Sequence, residues 1–256
     1  MKIYILLANL ICFGVLSMHA QRTSVFTEAN ADYKRGIDFY EQGVFAQAQK
    51  EFKTAVERLV PMEEEASRLL RLKAHLMFAQ SAIMNNDPEG EKLILAFVKN
   101  YRPDPIATQA VIEIADYYYN ARDYDKALQF FQMIDQSGLT REERGELRFK
   151  QGYCYFVKKD FKKARTAFYP MKDEKTDYFF PINYYYGLTA FYEGDYNEAV
   201  TSFKKLETSK KYKKFIPYYL CQIYFAQKKY DELISYGAAK FNDTEVNDRK
   251  ELGLLV

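Results

Sequence analysis

The sequence predicts an all-α fold: about six helix–turn–helix units stacked as a solenoid and preceded by an export signal. Three observations predict it. A pattern of small, aromatic and large apolar residues returns every 34–37 residues from Tyr124 onward. The segments joining the two halves of each unit are short and charged, and all seven prolines fall at or near predicted helix boundaries, where a missing N–H is tolerated. No stretch sustains the two-residue alternation of a half-buried strand, so no sheet is expected.

Residues 1–20, MKIYILLANLICFGVLSMHA, read as a signal peptide: Lys2, an apolar run from Ile3 to Leu16, then a more polar stretch ending at Ala20. The run is shorter than the ~20 residues a spanning helix requires. Cys12 follows Ile11 rather than a small residue, which disfavours lipid attachment. Export implies a periplasmic protein, with association to the outer membrane left open. Beyond residue 20 the chain keeps one histidine, His75, and two cysteines, Cys154 and Cys221. The cysteines fall on helices that are not neighbours, and read as buried small apolar residues rather than a disulfide.

The repeat begins with an aromatic residue in a turn, followed by a small residue three on and a large apolar one four further. Phe45, Ala48 and Phe52 fit, as do Tyr124, Ala127 and Phe131; Phe161, Ala164 and Phe168; and Tyr196, Ala199 and Phe203. A weaker copy is Tyr230, Leu233 and Gly237. Nine residues before each aromatic sits a small residue: Gly36, Ala115, Gly152, Gly187 and Cys221. Residues 74–100 supply a degenerate second unit with Ala79, Ala82 and Leu95, and with Pro88 in place of the aromatic. Apolar residues recur at steps of three and four on both sides of each turn, which is the helical period. The turns read EQGVF, NNDPE, ARDYD, VKKDF, EGDYN and QKKYD. A Gly or Ala in the first helix lets the large apolar residue of the second pack against bare backbone, and the turn aromatic covers the end of the pair. One pair cannot bury both faces, so neighbours stack.

This order of small, aromatic, Ala and Phe positions in a unit of about 34 residues resembles the tetratricopeptide repeat over residues 27–241. Residues 242–256 then read as the start of a further repeat or a capping helix. The signal plus the repeats resemble Gram-negative envelope repeat proteins. The resemblance implies a non-catalytic scaffold whose concave surface, lined by the first helix of each pair, binds a protein or peptide partner in the envelope.

Side chains three before, one after and four after the small residue share a helix face. They include Tyr33 and Tyr40 in the first unit, Asp116 and Tyr119 in the third, and Phe149, Tyr153 and Phe156 in the fourth. The fifth contributes Tyr184 and Phe191, and the sixth Tyr218. These are the candidate partner-binding residues, because Tyr and Phe give large contact area at low entropy cost. The same spacing suits a buried core, and both readings stand at this level. Asp116 and Gln222 favour an open groove, since a buried carboxylate needs a partner. Repeats that clamp the acidic C-termini of chaperones carry Lys and Asn on this face; here the residues are aromatic and aliphatic, so that partner is not expected.

Composition narrows the function classes. The chain has 256 residues, 23 Tyr, 20 Phe, no Trp and a net charge of only +2. Such balance argues against a nucleic-acid binder held by many phosphate contacts. No Gly-rich phosphate loop, HExxH motif, metal-spaced Cys/His set or nucleophile elbow occurs, so no catalytic residue, cofactor or metal is expected. Charge is nevertheless uneven: residues 141–175 carry eleven Lys/Arg against six Asp/Glu, and Lys204–Lys214 holds six Lys with only Glu207 opposing. These segments suit either a solvated outer face or an anionic surface such as lipid headgroups. A structural or self-associating role is the other alternative. The apolar end ELGLLV is expected to be covered, by further chain or by another molecule.

Overall fold

The computed structural model describes residues 23–243 and 245–255; the signal peptide read over residues 1–20 lies outside them, as does Val256. Among the described residues the secondary structure is helical throughout, in agreement with the expected all-α class. Helix α1 covers residues 23–41 and α2 Phe45–Leu59; α3 is Glu65–Met84, α4 Gly90–Tyr101 and α5 Pro105–Asn120. There follow α6 (Tyr124–Gln132), α7 (Arg141–Val157), α8 (Phe161–Phe168), α9 (Phe179–Tyr192) and α10 (Tyr196–Lys204). The chain continues through α11 (Ile216–Ala226), α12 (Tyr230–Phe241) and α13 (Arg249–Gly253). The fold divides after Ile114 into two compact units, the division falling within α5.

The six tight turns share one backbone design. Gly43, Asn86, Arg122, Lys159, Gly194 and Lys228 all have φ between 54° and 77°, the left-handed region. The next residue in each, Val44, Asp87, Asp123, Asp160, Asp195 or Lys229, donates its N–H at 2.8–2.9 Å to the carbonyl five residues back. This is the Schellman closure, which satisfies carbonyls otherwise orphaned at a helix end. In three turns an aspartate then caps the next helix: Asp123, Asp160 and Asp195 accept from the N–H groups of Lys126, Lys163 and Glu198 at 3.2–3.3 Å. In these three, the polar turn of the sequence is a left-handed residue, a cap and an aromatic.

Within a pair, the second helix presses its phenylalanine onto the small residue of the first. A Cβ placed on Gly36 would stand 2.6 Å from the Phe52 ring, and one on Gly187 2.6 Å from Phe203. Gly152 is covered by Phe168 in the same way. These approaches admit hydrogen and nothing larger. Phe52, Phe131, Phe168 and Phe203 are fully buried, as are Ala48, Ala127, Ala164 and Ala199. The turn aromatics close the pairs as expected, packing on a residue five positions earlier: Tyr40 on Phe45, Tyr119 on Tyr124, Phe156 on Phe161, Phe191 on Tyr196 and Phe225 on Tyr230, at 5.3–6.2 Å between ring centres.

The degenerate second unit departs from its expected register. Ala79 and Ala82 are buried, but Leu95 is 40% exposed, and Ile94, Phe97 and Val98 take the core positions. Pro88 sits in a turn, α4 begins only at Gly90, and the helix is rotated by about one residue relative to the pattern. Within residues 242–256, read as the start of a further repeat or a capping helix, α13 spans Arg249–Gly253 and buries Leu252 against Cys221, Leu233 and Val246.

Two substitutions test the pair packing and the turn. Phe168→Ala should cost about 3–5 kcal/mol of stability in urea unfolding, the range for a fully buried phenylalanine. Lys159→Gly should add about 0.5–1 kcal/mol in the same measurement, since the left-handed backbone no longer carries a Cβ.

Candidate functional site

All ten candidate partner-binding residues are half-buried: neither sealed in the core nor standing free. Tyr33 and Tyr40 belong to the N-terminal unit on α1, where Tyr33 leans on Phe52 at 5.6 Å and Tyr40 on Phe45. The other eight belong to the C-terminal unit, on α5 (Asp116, Tyr119), α7 (Phe149, Tyr153, Phe156), α9 (Tyr184, Phe191) and α11 (Tyr218). Seven of these eight are aromatic. Tyr119 meets Tyr153 at 5.9 Å and Phe149 meets Tyr153 at 6.0 Å. Tyr153 and Phe156 each meet Tyr185 at 5.1 Å, and Tyr184 meets Tyr185 at 5.2 Å. Phe191 packs on Tyr219 at 5.6 Å, and Tyr218 on Tyr219 at 6.1 Å. Offset and edge-to-face geometries dominate, as ring quadrupoles prefer.

Three residues outside the expected set organise this face. Lys150, Tyr185 and Tyr219 each lie two positions before the small residue of their helix, and each reaches back to the preceding first helix. Lys150 pairs with Asp116 at 2.7 Å, and its ammonium stands 5.9 Å from the centre of the Tyr119 ring. Tyr185 sits among Phe149, Tyr153 and Phe156. Tyr219 stacks on Phe203 and covers Phe191. The signal was present in the sequence as a position two before Gly152, Gly187 and Cys221. Its occupants, Lys, Tyr and Tyr, share no chemistry that would mark the position as special.

The Asp116 carboxylate, read as a sign of an open groove, pairs with Lys150, 34 residues on. Lys150 also meets Glu146 at 2.7 Å. Burial, with the negative charges of Glu146 and Asp116 adding to it, pushes the Tyr178 phenol up to about 12. Burial does the same for Tyr185, to about 12, and raises Tyr119 and Tyr184 further. The raised phenols of Tyr119, Tyr184 and Tyr185 stay neutral at physiological pH.

Cys154 and Cys221 are free and buried, matching the apolar reading, and burial raises their thiols to about 12 and about 11. His75 packs edge-on against Phe97 and Tyr101, with its Nδ1 3.2 Å from the Tyr101 hydroxyl. Among the described residues no three His, Cys, Asp or Glu side chains gather as metal ligands would, and no helix is long and apolar enough to cross a membrane. The lysine-rich segment is partly neutralised: Lys205 pairs with Asp173 and Lys213 with Glu245. Lys204, Lys210, Lys211 and Lys214 remain exposed.

Raised phenols and thiols make a pH prediction with a definite sign. A group whose folded pKa lies above its unfolded value stabilises the fold at lower pH and loses that contribution as pH climbs through the gap. The windows run from 10.0 to about 12 for Tyr178 and Tyr185 and from 9.0 to about 12 for Cys154. Urea midpoints should therefore hold below pH 9 and fall between pH 9 and 12. Phenolate absorbance should rise at higher pH in the folded protein than in the same chain in denaturant.

No protein-family model matches the chain. Solved structures of tetratricopeptide repeat proteins share its architecture. The C-terminal part of a tetratricopeptide repeat-containing protein from Cytophaga hutchinsonii aligns with a TM-score of 0.60 at 14% identity, covering 90% of this chain and 92% of the other. A tetratricopeptide repeat protein from Parabacteroides merdae aligns with a TM-score of 0.51 at 15% identity, covering 90% and 84%. At the level of sequence, the general transcriptional corepressor trfA of Dictyostelium discoideum is 29% identical over 122 residues, which make up 45% of this chain and 8% of that protein. The fold is an all-α solenoid of the tetratricopeptide type.

Proposed function

We propose that this protein is a non-catalytic interaction scaffold that holds a protein or peptide partner against the aromatic face of α5, α7, α9 and α11. The observation that carries the reading is the half-burial of the face. A face built only to join repeats would be sealed, and one with no internal role would stand free. Here the rings are fixed by their neighbours and still present surface to solvent. Fixed aromatic rings lose little entropy on binding and supply the anchors typical of interface hot spots. Tyr192, at the end of α9, belongs with this face: it is 54% exposed, stacks on Phe161 at 5.2 Å and lies 6.3 Å from Phe156. The fold supports the reading too, since solenoid repeats offer extended binding surfaces.

The reading extends to the cell envelope through the signal peptide read over residues 1–20, which places the partner in the same compartment. The Asp116–Lys150 ion pair and the raised phenol of Tyr185 support a binding rather than a catalytic role.

Site-directed photo-cross-linking in intact cells tests it. A benzophenone side chain at Tyr192 should give a discrete adduct with another protein, and one at Lys162, exposed on α8, should not. Adding Tyr153→Ser and Tyr184→Ser should reduce the Tyr192 adduct at least tenfold while circular dichroism stays helical. Equal adducts from both positions, or an adduct untouched by the double substitution in a folded protein, would overturn the assignment.

A further inference from the structure

A second site lies on another face of α7. Arg141, Arg144 and Arg148 are spaced three and four residues apart and so share one side of the helix. They line a cavity of about 340 Å³ together with Gln136 from the preceding connection, and Met171 and Glu174 from the segment after α8. Arg148 is adjacent in sequence to Phe149, which turns it about 100° around the helix from the aromatic face.

The three guanidinium groups are not equivalent. Arg141 is 3.5 Å from Glu174, and Arg144 donates to the Leu139 carbonyl. Arg148 is half-buried and makes neither a hydrogen bond nor an ion pair with any described residue. Burial holds its guanidinium below the usual arginine range, although it remains charged at any physiological pH. A partly desolvated cation with no counter-charge is costly, and an anion in the cavity would offset that cost. The helix terminus itself is not the attraction. Thr140 and Glu143 close the α7 N-terminus as a capping box, so the site rests on the side chains.

We propose that this cavity binds a phosphomonoester. Three arginines face a single glutamate, an excess that suits a dianion better than a carboxylate. The planar guanidinium fork matches phosphate oxygens bidentately. The volume falls within the range of small-ligand pockets, about 300–1,000 Å³, leaving room for an organic group beside Met171. A phosphomonoester can be a soluble compound or the headgroup of a lipid, and both present the same group to Arg148.

Isothermal titration of the full chain at pH 8 tests this with inorganic phosphate, glycerol 3-phosphate and vesicles containing phosphatidic acid. Saturable binding of at least one probe is expected, and which one responds identifies the source. Arg148→Gln should weaken that binding at least tenfold, with an unchanged thermal midpoint showing that the fold survives. Arg148→Lys, which keeps the charge and loses the fork, should fall between the two. The proposal is overturned if no probe binds, if Arg148→Gln binds as the parent does, or if acetate competes as well as phosphate.

Discussion

The contact on which the rest depends is a phenyl ring lying on a bare stretch of helix backbone. Phe52 over Gly36, Phe168 over Gly152 and Phe203 over Gly187 bring two antiparallel helices closer than any pair of larger residues would allow. The ring gains dispersion contacts over the face that covers the glycine, and the glycine contributes no side chain to be ordered. Once this distance is set, the turn between the helices has little freedom. All six turns close with the same left-handed residue, even where Arg122, Lys159 or Lys228 must adopt it at a conformational cost.

The close pairs also determine what remains for function. The second helix covers the small residue, and the side chains three before, one after and four after it are left to meet the neighbouring pair. In the C-terminal unit that meeting is made by Lys150, Tyr185 and Tyr219, which lean back and steady the stripe without sealing it. The result is a face of rings with fixed positions and free surface. Arg148 shows the converse arrangement: a cation on a neighbouring side of the same helix, with a cavity before it and no hydrogen-bond or ion-pair partner among the described residues. One helix therefore contributes to an apolar surface and to a cationic one, separated by rotation about its axis.

The pattern of small, aromatic, Ala and Phe residues was legible because each contact it encodes is local. Gly152 and Phe168 are 16 residues apart, and the hairpin between them is short. Where the pattern weakened, its register failed. Leu95 satisfied the spacing and is exposed, because Pro88 delays the start of α4 and Ile94 turns inward instead. The candidate face was legible as a set of positions, and all ten residues have intermediate exposure. The counter-charge of Asp116 was not, because nothing near it in sequence points to Lys150.

The sequence by itself determined the helical class, the repeat length and the residues buried inside the pairs that keep the pattern, since period and side-chain size act within one hairpin. Tertiary structure alone decided which rings touch across pairs, which charges are met and which are not. Those contacts join residues about thirty positions apart, such as Tyr153 with Tyr185 and Phe191 with Tyr219. They depend on the rotation of one pair against the next, and that rotation is set by the sum of many packed side chains rather than by any local signal.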